Sequence, residues 1–171
     1  MLQIQVIAMS HSNQIIEIKQ HLRRDLLSDV SSIIVIEPSM RMSITVAIEK
    51  ISAGFPSPAQ DYIDKKIDMN EHLIQNECAT FIVKVASLSM INAGIDIDDE
   101  LIVDRSLEAK HRDIIVALVD NDFTVKRLMI DETGVWLKAE NPEYSNIYLN
   151  DGQQLEIWGI VTFVLKNIRK L

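Results

Sequence analysis

One cysteine, five glycines and four prolines in 171 residues set the first bounds on this chain. A lone thiol, Cys78, has no partner for an intrachain disulfide and cannot supply the several thiolates of a structural zinc site. So little glycine and proline excludes collagen-like and Gly/Pro-rich disordered chains, and 47% hydrophobic content argues against disorder in general. There is no Gly-rich phosphate loop; Ala93-Gly94 reads as a turn. No apolar run approaches the ~20 residues of a membrane helix. The opening MLQIQVIAMSHSNQ has no basic start ahead of its short apolar stretch, so a secretory leader is not expected. A soluble, cytoplasmic protein with no membrane association is expected, of a length that suits one domain with an appendage.

The charge is unevenly placed. Net −8 arises from 17 Lys+Arg against 25 Asp+Glu, which argues against a generally basic nucleic-acid coat. Residues 1–53 are neutral, with Lys19, Arg23, Arg24, Arg41 and Lys50 against Glu17, Asp25, Asp29, Glu37 and Glu49. The whole excess therefore belongs to 54–171. The texture changes at the same place, in Ile51-Ser52-Ala53-Gly54-Phe55-Pro56-Ser57-Pro58, where prolines and a glycine forbid a regular helix and favour an exposed, extended loop.

Before that loop, Ser12 or Asn13 could cap a helix over 13–31, with Ile15, Ile18, Leu22, Leu26 and Val30 forming one apolar stripe. SSIIVIEPS follows as a short strand stopped by Pro38. After the loop, DYIDKKIDMNEHLIQ is expected to be a helix with Tyr62, Ile63, Ile67 and Leu73 inward. From residue 79 onward, ATFIVKV, ELIVDRS, DIIVALVD, FTVKRLMI, GVWLKAE, NIYL and LEIWGIVTFVLK read as seven β segments bounded by turn residues. Asp120-Asn121-Asp122 is a short polar spacer of the kind a hairpin needs. The expected fold is mainly β: a C-terminal domain of about seven strands over 54–171, preceded by a helix-containing N-terminal arm, 1–53.

Most of the chemistry-bearing residue types fall in unpromising settings. His11, His21, His72 and His111 form no H-x-x-x-H pair and lie in no nucleophile motif. The run Asp96-Ile97-Asp98-Asp99-Glu100 lacks the spacing and central glycine of a calcium loop. Cys78 has no identifiable activating histidine and reads as a packed or idle thiol. No metal or cofactor is implied. Ser89 and Lys126 stand apart. Ser89 follows a buried-looking strand, and Lys126 lies among the apolar residues of Phe123-Thr124-Val125-Lys126-Arg127-Leu128. Burial penalises an ammonium, and a neutral lysine amine can take the proton of a serine hydroxyl. Turn serines and solvent-facing strand lysines offer an ordinary alternative for both.

Ala53-Gly54, Phe55-Pro56-Ser57-Pro58 with Asp61-Tyr62, Ser89-Met90, Val103-Asp104, Asp113-Ile114, Phe123-Thr124-Val125-Lys126 and Trp158-Gly159 occur in one order. In that order, and with that distance from Ser89 to Lys126, the chain resembles the LexA/UmuD family of self-cleaving Ser/Lys peptidases over about 53–168, its UmuD branch most closely. The resemblance implies a serine endopeptidase acting on itself, with Ser89 as nucleophile and Lys126 as general base. It also implies the Ala53–Gly54 bond as the cleavage site and the backbone N–H groups of Leu88 and Ser89 as oxyanion donors. It implies a homodimer, stimulation by a RecA filament on single-stranded DNA, and a role in the SOS response. There the shortened form would support translesion synthesis with a Y-family, UmuC-like polymerase. The alternative is a LexA-like repressor that binds operator DNA through its arm. The chain departs from the family where UmuD-like sequences carry Gly-Asp, here Asp98-Asp99 and Arg112-Asp113. Its arm is longer than that of UmuD and shorter than the winged-helix domain of LexA.

Overall fold

The structure is a computed structural model and describes residues 29–35, 43–47, 64–132, 134–149 and 152–169. Ten strands appear among them: β1 (Val30–Val35), β2 (Ser43–Ala47), β3 (Asp64–Asp68), β4 (Thr80–Val85), β5 (Glu100–Asp104), β6 (Ile114–Val119), β7 (Asp122–Asp131), β8 (Gly134–Lys138), β9 (Ile147–Tyr148) and β10 (Leu155–Leu165). The expectation of a mainly β protein holds, and all seven β segments anticipated beyond residue 79 are strands.

Eight strands form one curled antiparallel sheet in the order β1-β4-β5-β10-β6-β7-β8-β9, and β2 and β3 form a separate two-stranded ribbon. Strand alternation explains where the core lies. On β6, Val116 joins an apolar cluster with Val83, Val85, Leu101, Val103 and Val125. Its neighbours Ile115 and Ala117 join another with Leu128, Leu137, Leu155 and Ile160. Successive residues point to opposite faces, so the middle of the sheet is covered on both sides, which is why DIIVALVD is a nearly unbroken apolar run. Gly159 marks a tight crossing: a Cβ there would come within 2.6 Å of Val103 Cγ1, beside a register shift in β10.

The β6–β7 hairpin turns on Asp120 and Asn121, with φ of 50° and 71°, the paired left-handed conformations that match the twist of a tight hairpin. The turn is one residue shorter than the expected spacer, because Asp122 already pairs with Val119. Asp98 and Arg112 also have positive φ, 67° and 76°, in the left-handed region that favours glycine.

Two expectations require correction. Asp61–Gln75 is not one helix: Asp64–Asp68 pairs with β2, and only Met69–Leu73 is helical, capped by the Asp68 side chain accepting from Asn70 N. A partner strand outweighs the weak helical periodicity. The end of the helix expected over 13–31 is likewise overturned, since Val30 and Ser31 begin β1; residues 13–28 lie outside the described ones. β1, on the arm side, is an edge strand of the main sheet, with Val30 opposite Val85 and Ile33 opposite Val83. Val30 and Ile33 are buried in the core. Residues 30–35 thus belong to the main sheet.

Candidate active site

Ser89 sits in the turn after β4. The carbonyl of Leu88 accepts from Ile91 N at 3.2 Å and from Asn141 Nδ2 at 3.0 Å, and Asn92 N donates to the Glu140 carbonyl at 2.8 Å. The loop after β8 therefore clamps the turn from outside, while the neighbouring Met90 side chain anchors it in the core. Gly94, at φ 80°, closes the short 3-10 turn Ile91–Ala93 that follows. Arg127 steadies the same loop: its Nε donates to Glu140 Oε1 at 2.6 Å. That hydrogen bond, outweighing burial and aided by Lys138, holds the Glu140 carboxyl below the usual range.

Lys126 lies mid-strand on β7, opposite Ile115 of β6. The sheet brings two residues 37 positions apart into contact: Lys126 Nζ donates to Ser89 Oγ at 3.0 Å. Both are buried, Ser89 at 1% and Lys126 at 5% exposure. Nζ also lies 3.0 Å from Thr124 Oγ1 and 3.1 Å from the Val125 carbonyl.

A further group completes the cluster. Asp29, immediately before β1, is fastened by its carbonyl accepting from Ala86 N at 2.8 Å. Its side chain is buried and pairs with Lys126 Nζ through Oδ2. The same oxygen accepts from Thr124 Oγ1 at 2.6 Å and from Val125 N at 3.1 Å. Oδ1 accepts from Ser87 Oγ, and Ser87 Oγ in turn accepts from the backbone N–H of Ser89 at 3.2 Å. Burial pushes the Asp29 carboxyl up, but the charge and hydrogen bond of Lys126, with the Ser87 and Thr124 hydroxyls, outweigh it and leave it below its ordinary value.

Of the residues singled out from sequence, Ser89 and Lys126 are brought together, and the Leu88–Ser89 backbone lies beside them. Ala53 and Gly54 lie outside the described residues, on the 48–63 connection that joins β2 to β3. Sequence reasoning missed Asp29, Ser87, Thr124 and Asn141. Thr124 and Ser87 had a signal, each two positions before a candidate residue. Asp29 had none, because its partner is 97 positions away. The remaining candidates have other settings. Cys78 is exposed rather than packed; His111 Nδ1 accepts from Ile130 N at 2.9 Å; and His72 lies against Phe163. Asp99 accepts from Asp96 N and pairs with Lys166. Among the described residues no group of His, Cys, Asp and Glu is placed to hold a metal ion, and no helix is long and apolar enough to cross a membrane.

A buried serine hydroxyl against a lysine nitrogen is an arrangement for moving one proton between them. Comparison with known proteins points to a peptidase family. The family model described as Peptidase S24-like matches residues 45–162. Protein MucA of Salmonella typhimurium is 40% identical over 124 residues, 72% of this chain and 84% of the relative. Protein ImpA of Shigella flexneri is 36% identical over 124 residues, 72% and 83% of the two chains. The LexA repressor of Verminephrobacter eiseniae is 34% identical over 120 residues, 70% of this chain and 53% of the repressor.

Proposed function

From the premise that this chain belongs to the Peptidase S24-like family, we infer that it is a self-cleaving serine endopeptidase of the SOS response, with Ser89 as nucleophile and Lys126 as general base. The observation that carries the reading is the 3.0 Å contact between Lys126 Nζ and Ser89 Oγ in a buried setting. With Nζ unprotonated, it takes the Oγ proton as Oγ bonds to the carbonyl carbon of Ala53. The carbonyl oxygen then carries negative charge, for which the family resemblance assigns the backbone N–H groups of Leu88 and Ser89 as donors. The tetrahedral centre collapses by breaking the bond to the Gly54 nitrogen, and that amine leaves with the proton held on Nζ. Water, giving its proton to the same lysine, releases Ala53 as a carboxylate and restores Ser89.

Cleavage divides the chain into 1–53 and 54–171. The shortened form, as a homodimer, supports error-prone translesion synthesis with a Y-family, UmuC-like polymerase, and a RecA filament on single-stranded DNA promotes the cleavage. MucA and ImpA, matched over more than four-fifths of their own lengths, favour this over the repressor reading. The LexA repressor is matched over about half. That second reading, operator binding through the arm relieved by the same cut, is separated by titrating intact protein with promoter DNA at moderate salt.

The direct test is a gel of purified parent, Ser89→Ala and Lys126→Ala, each with and without RecA, nucleotide and single-stranded DNA. The parent should yield a fragment beginning at Gly54, and both variants should stay intact. Cleavage of the variants at the parental rate, or a new terminus elsewhere, overturns the assignment.

A further inference from the structure

Asp29 lies outside the 45–162 span that carries the family match, yet its carboxylate occupies the centre of the site. A general base needs a free lone pair. An ammonium has three N–H donors and none. Around Lys126 Nζ stand four acceptors: Asp29 Oδ2, Ser89 Oγ, Thr124 Oγ1 and the Val125 carbonyl. This is a shell built for the charged form. The second half of the machinery is engaged as well. The Ser89 N–H, which an oxyanion would need, donates to Ser87 Oγ, and Ser87 donates to Asp29. One carboxylate therefore reaches both the base and an oxyanion donor.

The placement of Asp29 makes this reversible. It is held by an edge strand, through the Ala86 N–H, the β1–β4 pairing and two buried side chains, Val30 and Ile33. The outer half of that strand is exposed at Ile34 and Val35. Edge strands with few buried contacts open more readily than central ones. When β1 lifts, Asp29 leaves with it, Nζ can release one proton to water, and the Ser89 N–H loses its tie to the carboxylate.

We propose that Asp29 is a built-in inhibitor of self-cleavage, an intrachain carboxylate that pairs with Lys126 and, through Ser87, engages the Ser89 N–H until β1 undocks. The proposal rests on the assignment of Ser89 and Lys126 given above. It makes the arm a restraint on the reaction as well as its product. Asp29 is the charged group that faces Lys126 among the described residues. Arg127, next along β7, is occupied with Glu140; Lys84 and Asp98 pair with each other, and Asp99 pairs with Lys166.

The test is the rate of unassisted self-cleavage across neutral to alkaline pH for the intact parent, Asp29→Asn and Asp29→Ser, each also carrying Ser89→Ala as a control. A hydrogen bond to a charged group in a buried setting commonly holds one state over another by about tenfold or more. Removing the carboxylate should therefore speed cleavage about tenfold or more near neutral pH, with the curves converging at alkaline pH. The two variants remove the charge with different residual hydrogen bonds, and a cooperative melt in the Ser89→Ala background shows which is folded. If both fail to melt cooperatively, Asp29 is a structural residue and the proposal falls. Variant profiles that superimpose on the parent's, or cleavage slower than the parent's, also overturn it while leaving the Ser89/Lys126 assignment intact. Absence of Ser89-dependent cleavage in the parent at every pH would overturn the assignment itself.

Discussion

Lysine-to-alanine exchange is usually made as a silent knockout, and at Lys126 it should be costly. The side chains of Lys126 and Asp29 are only 6% and 5% exposed, so water neither screens their attraction nor rehydrates whichever is left. Removing one partner of a buried pair costs about 3–5 kcal/mol, because the other charge stays desolvated. Thr124, Val125 N and Ser87 would still bond Asp29, which places the expected loss near the low end, ~3 kcal/mol. At roughly 2–4 °C per kcal/mol for a chain of this size, the melting temperature should fall by about 6–12 °C. The measurement is thermal and urea unfolding of Ser89→Ala and Ser89→Ala/Lys126→Ala, so that self-cleavage does not intrude. The pH dependence provides a sharper check. In the parent the Asp29 carboxyl lies below its unfolded value of ~3.9. It therefore contributes stability above ~3.9, and that contribution is lost as pH falls through the folded value. Without Lys126, burial is opposed only by hydrogen bonds and the carboxyl moves up relative to the parent. Protonation then relieves the buried charge, and the gap between parent and variant should narrow on acidification. Adding Asp29→Ala should return a large part of the loss, a coupling of about 1–3 kcal/mol. A variant within ~0.5 kcal/mol of the parent, or a gap that is flat with pH, would refute the reasoning.

Two further outcomes follow from the backbone and the clamp on the Ser89 turn. Arg112→Gly should stabilise the fold by up to about 1 kcal/mol in urea unfolding, since φ of 76° suits glycine and the Arg112 N–H bond to Leu128 O is kept. Arg112→Val, β-branched at the same φ, should destabilise it. Asn141→Ala removes the bond to the Leu88 carbonyl and the Asn141 cap on Glu143 N. It should cost about 1–2 kcal/mol in stability and slow self-cleavage, while a Ser89→Ala control keeps the same melt loss; unchanged cleavage would mean the clamp does not position Ser89.

How far the residues alone carried the argument varied with the reach of each interaction. The strands beyond residue 79 were readable because alternation and turn residues are local signals, and Asp120-Asn121 declared its hairpin in the same way. DKKID failed because its short polar pattern fits helix or strand equally, and the pairing of Ile67 with Ile44 decided the matter. Ser89 and Lys126 could be paired only through the ordered motifs, since nothing local says that a turn and a distant strand will meet. Asp29 lay beyond that method as well. It precedes the 45–162 span that the family model matches, and an aspartate before a strand looks like any other until the sheet has curled.

The same curl gives the edge strand an unusual economy of attachment. As long as the chain is whole, a displaced β1 remains leashed to the body and rebinds at a local concentration fixed by its tether, independent of how much protein is present. Scission between 53 and 54 would turn that strand into a free peptide, whose return must compete with dilution through the surrounding volume. A single cut would thus make a self-renewing contact a bimolecular one, and the sheet would be left with β4 as its rim.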